Sequence, residues 1–268
     1  MKRGDEPLKS SDNSPLLSLR EVRRYFGGIK AVDRVSFDVA AHSITGLIGP
    51  NGAGKTTLFN LISGFYKPDG GEIYFQDERI DGLSLHQTFH KGLCRTFQIS
   101  RELKLMTVME NLMLVPPGQE GEKLWRIWFF PNVVKNQERQ MRDKALQSLE
   151  SVGLLHLKDE YAGNLSGGQK RLLELARTMM ASPTLIMFDE PGAGVNPSER
   201  KTLADRIRKL VHEQGITVLL IGHEMELVMD VCDPIVVLDR GKVLTRGTPD
   251  EVRSDNRVLE VYLGGTMA

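Results

Sequence analysis

Short apolar runs bounded by glycine, proline and polar clusters alternate along this chain with stretches in which apolar residues recur every three or four positions. That is the mark of strands packed against helices. Leu17–Phe26 and residues 35–39 read as two early strands, the second alternating Val35, Phe37 and Val39 on one face, and together they predict a small antiparallel unit. An apolar strand, Ile44–Ile48, runs into a glycine-rich turn and then an amphipathic helix whose inward stripe is Leu58, Leu61, Ile62 and Phe65, ended by Lys67-Pro-Asp-Gly-Gly71. Met141, Ala145, Leu149 and Val152 predict a helix over 138–152, and Leu172, Leu173, Leu175, Ala176 and Met179 mark another that starts at Ser166. Residues 185–188 and 216–221 read as buried strands. Asp239-Arg-Gly-Lys242 predicts a hairpin turn. Thr248, Pro249 and Glu251 supply the cap, first-turn proline and capping glutamate of a terminal helix.

Composition narrows the classes. At 268 residues and 40% hydrophobic content the chain can bury a substantial core. Its 35 basic and 35 acidic residues give no overall attraction to a phosphate backbone, so no nucleic acid is expected as partner. Cys94 and Cys232 stand apart, without neighbours at ligand spacing, which argues against a disulfide framework or a zinc site and suits a reducing cytosol. Residues 1–16 read as a polar tail without the apolar stretch of a secretion signal. The apolar runs elsewhere fall far short of the roughly 20 residues a bilayer requires, so any attachment to a membrane is expected to come through a partner.

The chemistry begins at Gly49-Pro-Asn-Gly-Ala-Gly-Lys-Thr56, placed between strand and helix. Glycines Gly49, Gly52 and Gly54, with Pro50, Asn51 and Ala53 between them, let the backbone curl until its N–H groups face a phosphate, and the helix start adds its positive dipole end. Lys55 is expected to reach β- and γ-phosphates, and the Thr56 hydroxyl to ligate Mg2+. Downstream, Leu185-Ile-Met-Phe188 delivers Asp189 and Glu190 at a strand's carboxyl end, where parallel sheets bind ligands. Asp189 suits the Mg2+ hydration shell, and Glu190 suits a base for the attacking water. Taken alone, that pair also suits a solvated strand end.

A third motif is Asn164-Leu-Ser-Gly-Gly-Gln169 followed by Lys170 and Arg171. Ser166 is a good N-cap, and Gly167 and Gly168 leave backbone N–H groups bare, which makes a second anion site. With this motif the chain resembles the ABC ATPase family. The resemblance implies an α/β fold: a phosphate-loop (RecA-like) core with an antiparallel β subdomain and an inserted α-helical subdomain. The expected single domain spans 17–264, with core and β subdomain in 17–98 and 166–250, the helical subdomain in 99–165, and a terminal helix and tail in 251–268.

The same resemblance assigns further roles. Leu165, Ser166, Gly167, Gly168 and Gln169 would cap the γ-phosphate of ATP held by an opposite protomer. Phe26, before Gly27-Gly28, would stack on adenine, with Ala31 lining that face and Thr57 completing the phosphate loop. Gln98, in Arg95-Thr-Phe-Gln98, would touch Mg2+ and water, and His223 would contact the γ-phosphate and orient Glu190. By residue type alone, Phe26 equally suits a core aromatic, Gln98 a surface residue and His223 a structural one. Their common order along the chain carries the assignment.

Phe26-Gly-Gly-Ile-Lys-Ala-Val32, Arg95-Thr-Phe-Gln98, Ala193-Gly-Val-Asn-Pro197 and the closing Tyr262-Leu-Gly264 are similar to the ATPase subunits of branched-chain amino acid importers. Gly167 stands where that branch commonly has an aromatic, and Glu224 where it has Asp. The cofactors implied are ATP and Mg2+. The partners implied are integral membrane permease subunits, a second ATP-binding subunit in a homo- or heterodimer and, indirectly, an extracytoplasmic solute-binding protein; the location implied is the cytoplasmic face of the membrane. An export subunit for lipid-like cargo is the alternative, and a soluble ABC ATPase acting on DNA or ribosomes a more distant one. The stretch Leu124-Trp-Arg-Ile-Trp-Phe-Phe130 reads first as a local core, with an exposed contact patch or a membrane-surface role as alternatives.

Overall fold

The computed structural model describes residues 14–96, 102–116, 128–193, 196–222 and 225–263. Its first strands, β1 (Leu17–Phe26) and β2 (Ile29–Val39), form an antiparallel hairpin. β2 begins six residues before the predicted start, because the two-residue turn at Gly27-Gly28 lets pairing run from Phe26↔Ile29. After β3 (Ile44–Ile48) comes α1 (Lys55–Ile62), then β4 (Gly70–Phe75), β5 (Glu78–Arg79), α2 (Leu85–His90) and β6 (Leu93–Arg95). Helices α3 (Val108–Met113), α4 (Pro131–Val152) and α5 (Gly167–Met180) follow. The last third contains β7 (Leu185–Asp189), α6 (Pro197–Gln214), β8 (Thr217–Ile221), α7 (Met225–Val231), β9 (Ile235–Asp239), β10 (Lys242–Gly247), α8 (Pro249–Ser254) and α9 (Asn256–Leu263).

Two sheets result. One is a four-stranded antiparallel sheet in the order β2-β1-β4-β5, and the other has six strands in the order β10-β9-β3-β8-β7-β6. In the second, β9, β3, β8, β7 and β6 are parallel and β10 closes the edge as an antiparallel hairpin arm. Alternation along each strand explains why this sheet is buried on both faces. Leu185, Met187, Leu219 and Ile221 point to a core shared with α1 and the antiparallel sheet, whereas Ile186, Phe188, Val218 and Leu220 point to a core shared with α3 to α7. Helix α1 is thereby held between the sheets through Leu58, Phe59, Leu61 and Ile62.

Three local expectations need adjustment. Phe65 is not part of the inward stripe: α1 ends at Ile62, and Phe65 lies 63% exposed with its ring 5.1 Å from Tyr66. The helix expected over 138–152 begins seven residues earlier, at Pro131, whose fixed φ suits a first turn; its predicted stripe Met141, Ala145, Leu149 and Val152 is buried. Of the aromatic stretch, residues 124–127 lie outside the described residues. Trp128, Phe129 and Phe130 are 85%, 75% and 50% exposed, which overturns the local-core reading for these three. No helix among the described residues is long and apolar enough to cross a membrane.

Candidate functional site

At the carboxyl end of β3 the chain turns through residues 49–54 into α1, and two glycines make the turn possible. Gly49 has φ +153°, and a Cβ there would stand 2.2 Å from the Leu238 carbonyl oxygen. Gly54 has φ +101°, and its Cβ would stand 2.2 Å from the Ala31 carbonyl oxygen. No other residue type fits either contact. The loop is braced from outside by the β9–β10 turn, where Gly241 N–H donates to Ala53 O at 3.0 Å, and that turn is tied to β2 by Asp33 N–H donating to Gly241 O at 2.7 Å. The Ala31 carbonyl thus sits against the loop at Gly54.

Gly54 caps α1 without a side-chain hydrogen bond, so the first turn presents unscreened N–H groups. Lys55 is buried and curls over the loop, donating from Nζ to Gly49 O at 2.7 Å and to Pro50 O at 3.0 Å. Burial pushes its ammonium below the usual lysine range, while the charges of Glu190 and Asp189 pull it back up. Both carboxylates are therefore near enough for their charge to act on the lysine. Asn51, Gly52 and Thr56 are exposed, and Pro50 and Thr57 half-buried, along the same rim.

Asp189 ends β7, and Glu190 follows with φ +53°, a left-handed conformation that costs a non-glycine residue about 1–2 kcal/mol. Its N–H donates to Ile221 O at 2.9 Å, so the bend is anchored on the end of β8. Such strain clusters at functional positions. Sequence reasoning found the carboxylates but missed a partner: Arg95, at the end of β6, donates to Asp189 Oδ2 at 2.6 Å and to Asn60 Oδ1 at 2.5 Å. The parallel pairing of β6 with β7 brings them together across 94 residues, and the sequence carries no local signal of it.

The capped helix start expected at Ser166 is present. Ser166 caps α5 with its Oγ accepting from Gln169 N–H at 3.2 Å, and Gln169 Oε1 accepts from Ser166 N–H at 2.9 Å. That reciprocal pair is a capping box. Leu165 and Gly168 are buried, Ser166 and Gly167 exposed, and Gln169 half-buried. A carboxylate not anticipated from sequence, Glu199 in the first turn of α6, places Oε1 3.2 Å from Ser166 Oγ and would lie 2.6 Å from a Cβ on Gly168. Phe26, at the end of β1, is 39% exposed, with Tyr66 edge-on at 5.5 Å and the Arg24 guanidinium 4.8 Å from its ring centre. Gln98 and His223 lie outside the described residues.

Comparison with known proteins turns this geometry into a classification. The family model described as ABC transporter matches residues 32–193, and the model described as branched-chain amino acid ATP-binding cassette transporter matches 242–268. The chain belongs to the ABC transporter family. This ABC ATPase is similar to the high-affinity branched-chain amino acid transport ATP-binding protein LivG of Escherichia coli K12, at 41% identity over 94% of this chain and 99% of the relative. It is similar also to BraF of Pseudomonas aeruginosa, at 42% over 93% and 98%. Among solved structures, the ADP conformation of MJ1267, an ATP-binding cassette of an ABC transporter, matches with TM-score 0.81 and 37% identity over 94% of this chain and 99% of that one. A nucleotide-free cassette matches with TM-score 0.80 and 37% identity over 93% and 99%.

The cradle of residues 49–56 fits the phosphates of ATP: a loop no Cβ could enter at Gly49 or Gly54, an uncapped helix start and a buried lysine. Among the described residues, the Thr56 hydroxyl and the Asp189 carboxylate are donors that could hold Mg2+, hard oxygens of the kind the ion takes. No group of three His, Cys, Asp or Glu side chains among the described residues forms a metal cage. Two donors suit an ion that keeps several waters and takes phosphate oxygens for the rest.

Proposed function

We propose that this chain is the ATP-hydrolysing subunit of an importer for branched-chain amino acids or related small solutes, working on the cytoplasmic face of the membrane beneath separate permease subunits. The observation that carries the catalytic part is the convergence of Lys55, Asp189 and Glu190 at the carboxyl ends of β3 and β7. The likeness to LivG and BraF supports the cargo.

In this reading backbone N–H groups of residues 51–57 hold the α- and β-phosphates, and Lys55 exchanges its two loop carbonyls for β- and γ-phosphate oxygens. Phe26 stacks on adenine beside Ala31. Thr56, Asp189 and Gln98 would hold Mg2+, which would supply neutralisation of phosphate charge there. Glu190, set apart from the strand by its left-handed backbone, takes the proton of the attacking water, with His223 steadying both water and γ-phosphate. Leu165 to Gln169 close on the γ-phosphate of the nucleotide in a second ATP-binding subunit, so two cassettes hold two nucleotides head to tail. An extracytoplasmic binding protein selects the solute.

The test is Glu190→Gln. ATP binding within about twofold of wild type with hydrolysis reduced at least about 100-fold is the expected result for loss of a general base. Wild-type turnover would remove Glu190 from its role. Cargo is tested separately: membranes carrying the assembled transporter should take up labelled leucine with ATP, and uptake should fail with Glu190→Gln.

A further inference from the structure

Arg95 is engaged through both terminal nitrogens beside the site and has no role in the reading above. Its side chain is only 12% exposed and that of Asp189 only 11%. One terminal nitrogen donates to Asp189 Oδ2 at 2.6 Å and the other to Asn60 Oδ1 at 2.5 Å, while the guanidinium lies 5.7 Å from the Phe59 ring centre. Its Nε is buried without a hydrogen-bond partner. Asn60 and Phe59 both belong to α1, the helix that starts with Lys55. The arginine therefore joins three elements: β6, which carries it, β7, which ends in Asp189, and α1, which follows the phosphate loop.

A buried guanidinium with an unfilled N–H is costly to keep unless its two forks are needed where they are. Arg95 engages only one oxygen of Asp189, and no hydrogen bond reaches Oδ1 among the described residues. The carboxylate is thus fixed in rotation by one oxygen while the other remains for a ligand. At the same time the arginine is a positive charge beside the carboxylate that would take part in holding Mg2+, and it weakens the pull of that carboxylate on any cation.

We propose that Arg95 is a positioning residue that sets the orientation of Asp189 and its distance from α1, at the cost of weaker cation binding there. The proposal rests on the assignment of Asp189 to the metal. It makes charge and fork separable, because a lysine at 95 keeps the first and loses the second. The Asn60 tether can be removed without touching either charge.

The experiment is a Mn2+ titration followed by electron paramagnetic resonance on the full chain with ADP, alongside ATPase kinetics, for wild type, Arg95→Gln, Arg95→Lys, Asn60→Ala and Asp189→Asn. Arg95→Gln should bind Mn2+ several-fold more tightly while its kcat falls at least about tenfold, a tenfold loss being 1.4 kcal/mol of transition-state stabilisation. Arg95→Lys and Asn60→Ala should keep wild-type Mn2+ affinity and still lose kcat, with the KM for ATP within about twofold of wild type. Loss of kcat with weaker Mn2+ binding in Arg95→Gln, or wild-type kcat in both Arg95→Lys and Asn60→Ala, overturns the proposal. If Arg95→Gln does not fold, the other two variants decide it. Unchanged Mn2+ affinity in Asp189→Asn would instead reject the underlying assignment of Asp189, so the two failures are told apart.

Discussion

The hydroxyl of Ser166 and the carboxylate of Glu199 stand 3.2 Å apart, so the start of α5, proposed above to close on a phosphate, already faces a negative group of the same chain. A phosphate brought to Ser166 by a second cassette meets that charge. Glu199→Gln keeps the shape and removes the charge, and should lower the ATP concentration that half-saturates dimer formation several-fold. Light scattering at graded ATP in a Glu190→Gln background reads it. A rise in that concentration would mean that Glu199 assists the phosphate. Loss of its interaction with the helix start should cost about 0.3–1 kcal/mol of stability.

Lys55 gives a pH dependence with a definite sign. Burial lowers its pKa below the ordinary 10.5, so the nucleotide-free protein releases this proton earlier than the unfolded chain does. The charge is thus a cost to folding, relieved as pH rises through the lowered value, while the attraction for phosphate is lost over the same range. ATP affinity should therefore begin to fall at a pH below that of an ordinary lysine. Lys55→Arg, which stays charged, should show a flatter profile across that interval. Equilibrium binding between neutral and alkaline pH checks it, and matching slopes for the two proteins would contradict the account.

Two glycines of the same loop should respond differently to alanine. Gly52 has φ +79° and nothing within 4 Å of an added Cβ, so Gly52→Ala costs only the backbone strain, about 1–2 kcal/mol. Gly54→Ala adds a clash at 2.2 Å with a backbone oxygen and should lose nucleotide binding altogether. Isothermal titration and thermal melts of both variants make the comparison. Equal binding by the two would show that the loop relaxes.

Phe26 is exposed enough to offer a ring face to a base. Phe26→Ala should weaken ATP binding by about 1 kcal/mol, the lower end for base–aromatic stacking, since one edge already meets Tyr66. The triphosphate without a base should bind both proteins equally. A matching loss for inorganic triphosphate would make Phe26 a prop of the loop instead.

Much of the fold was legible because its signals are local. Alternation at Val35, Phe37 and Val39 in β2, the short apolar run of β7, the cap at Ser166 and the box at Thr248 and Glu251 depend on residues a few positions apart, and each took the expected form. Phe65 was misjudged because helical spacing continued past the point where α1 stops. Trp128 to Phe130 were misjudged because apolar character says what a side chain favours, not whether a partner surface stands beside it.

By itself the sequence determined the strands at 17–26, 44–48, 185–188 and 216–221, the glycine cradle at 49–54, the carboxylates at 189–190 and the capped helix at 166, since each is written in neighbouring residues. Only the tertiary structure decided that Arg95 meets Asp189 and Asn60, that Glu199 meets Ser166, and that the backbone at Glu190 turns left-handed. Those contacts arise where strands and helices distant in sequence are laid side by side. No local pattern encodes which side chains of separate elements will touch.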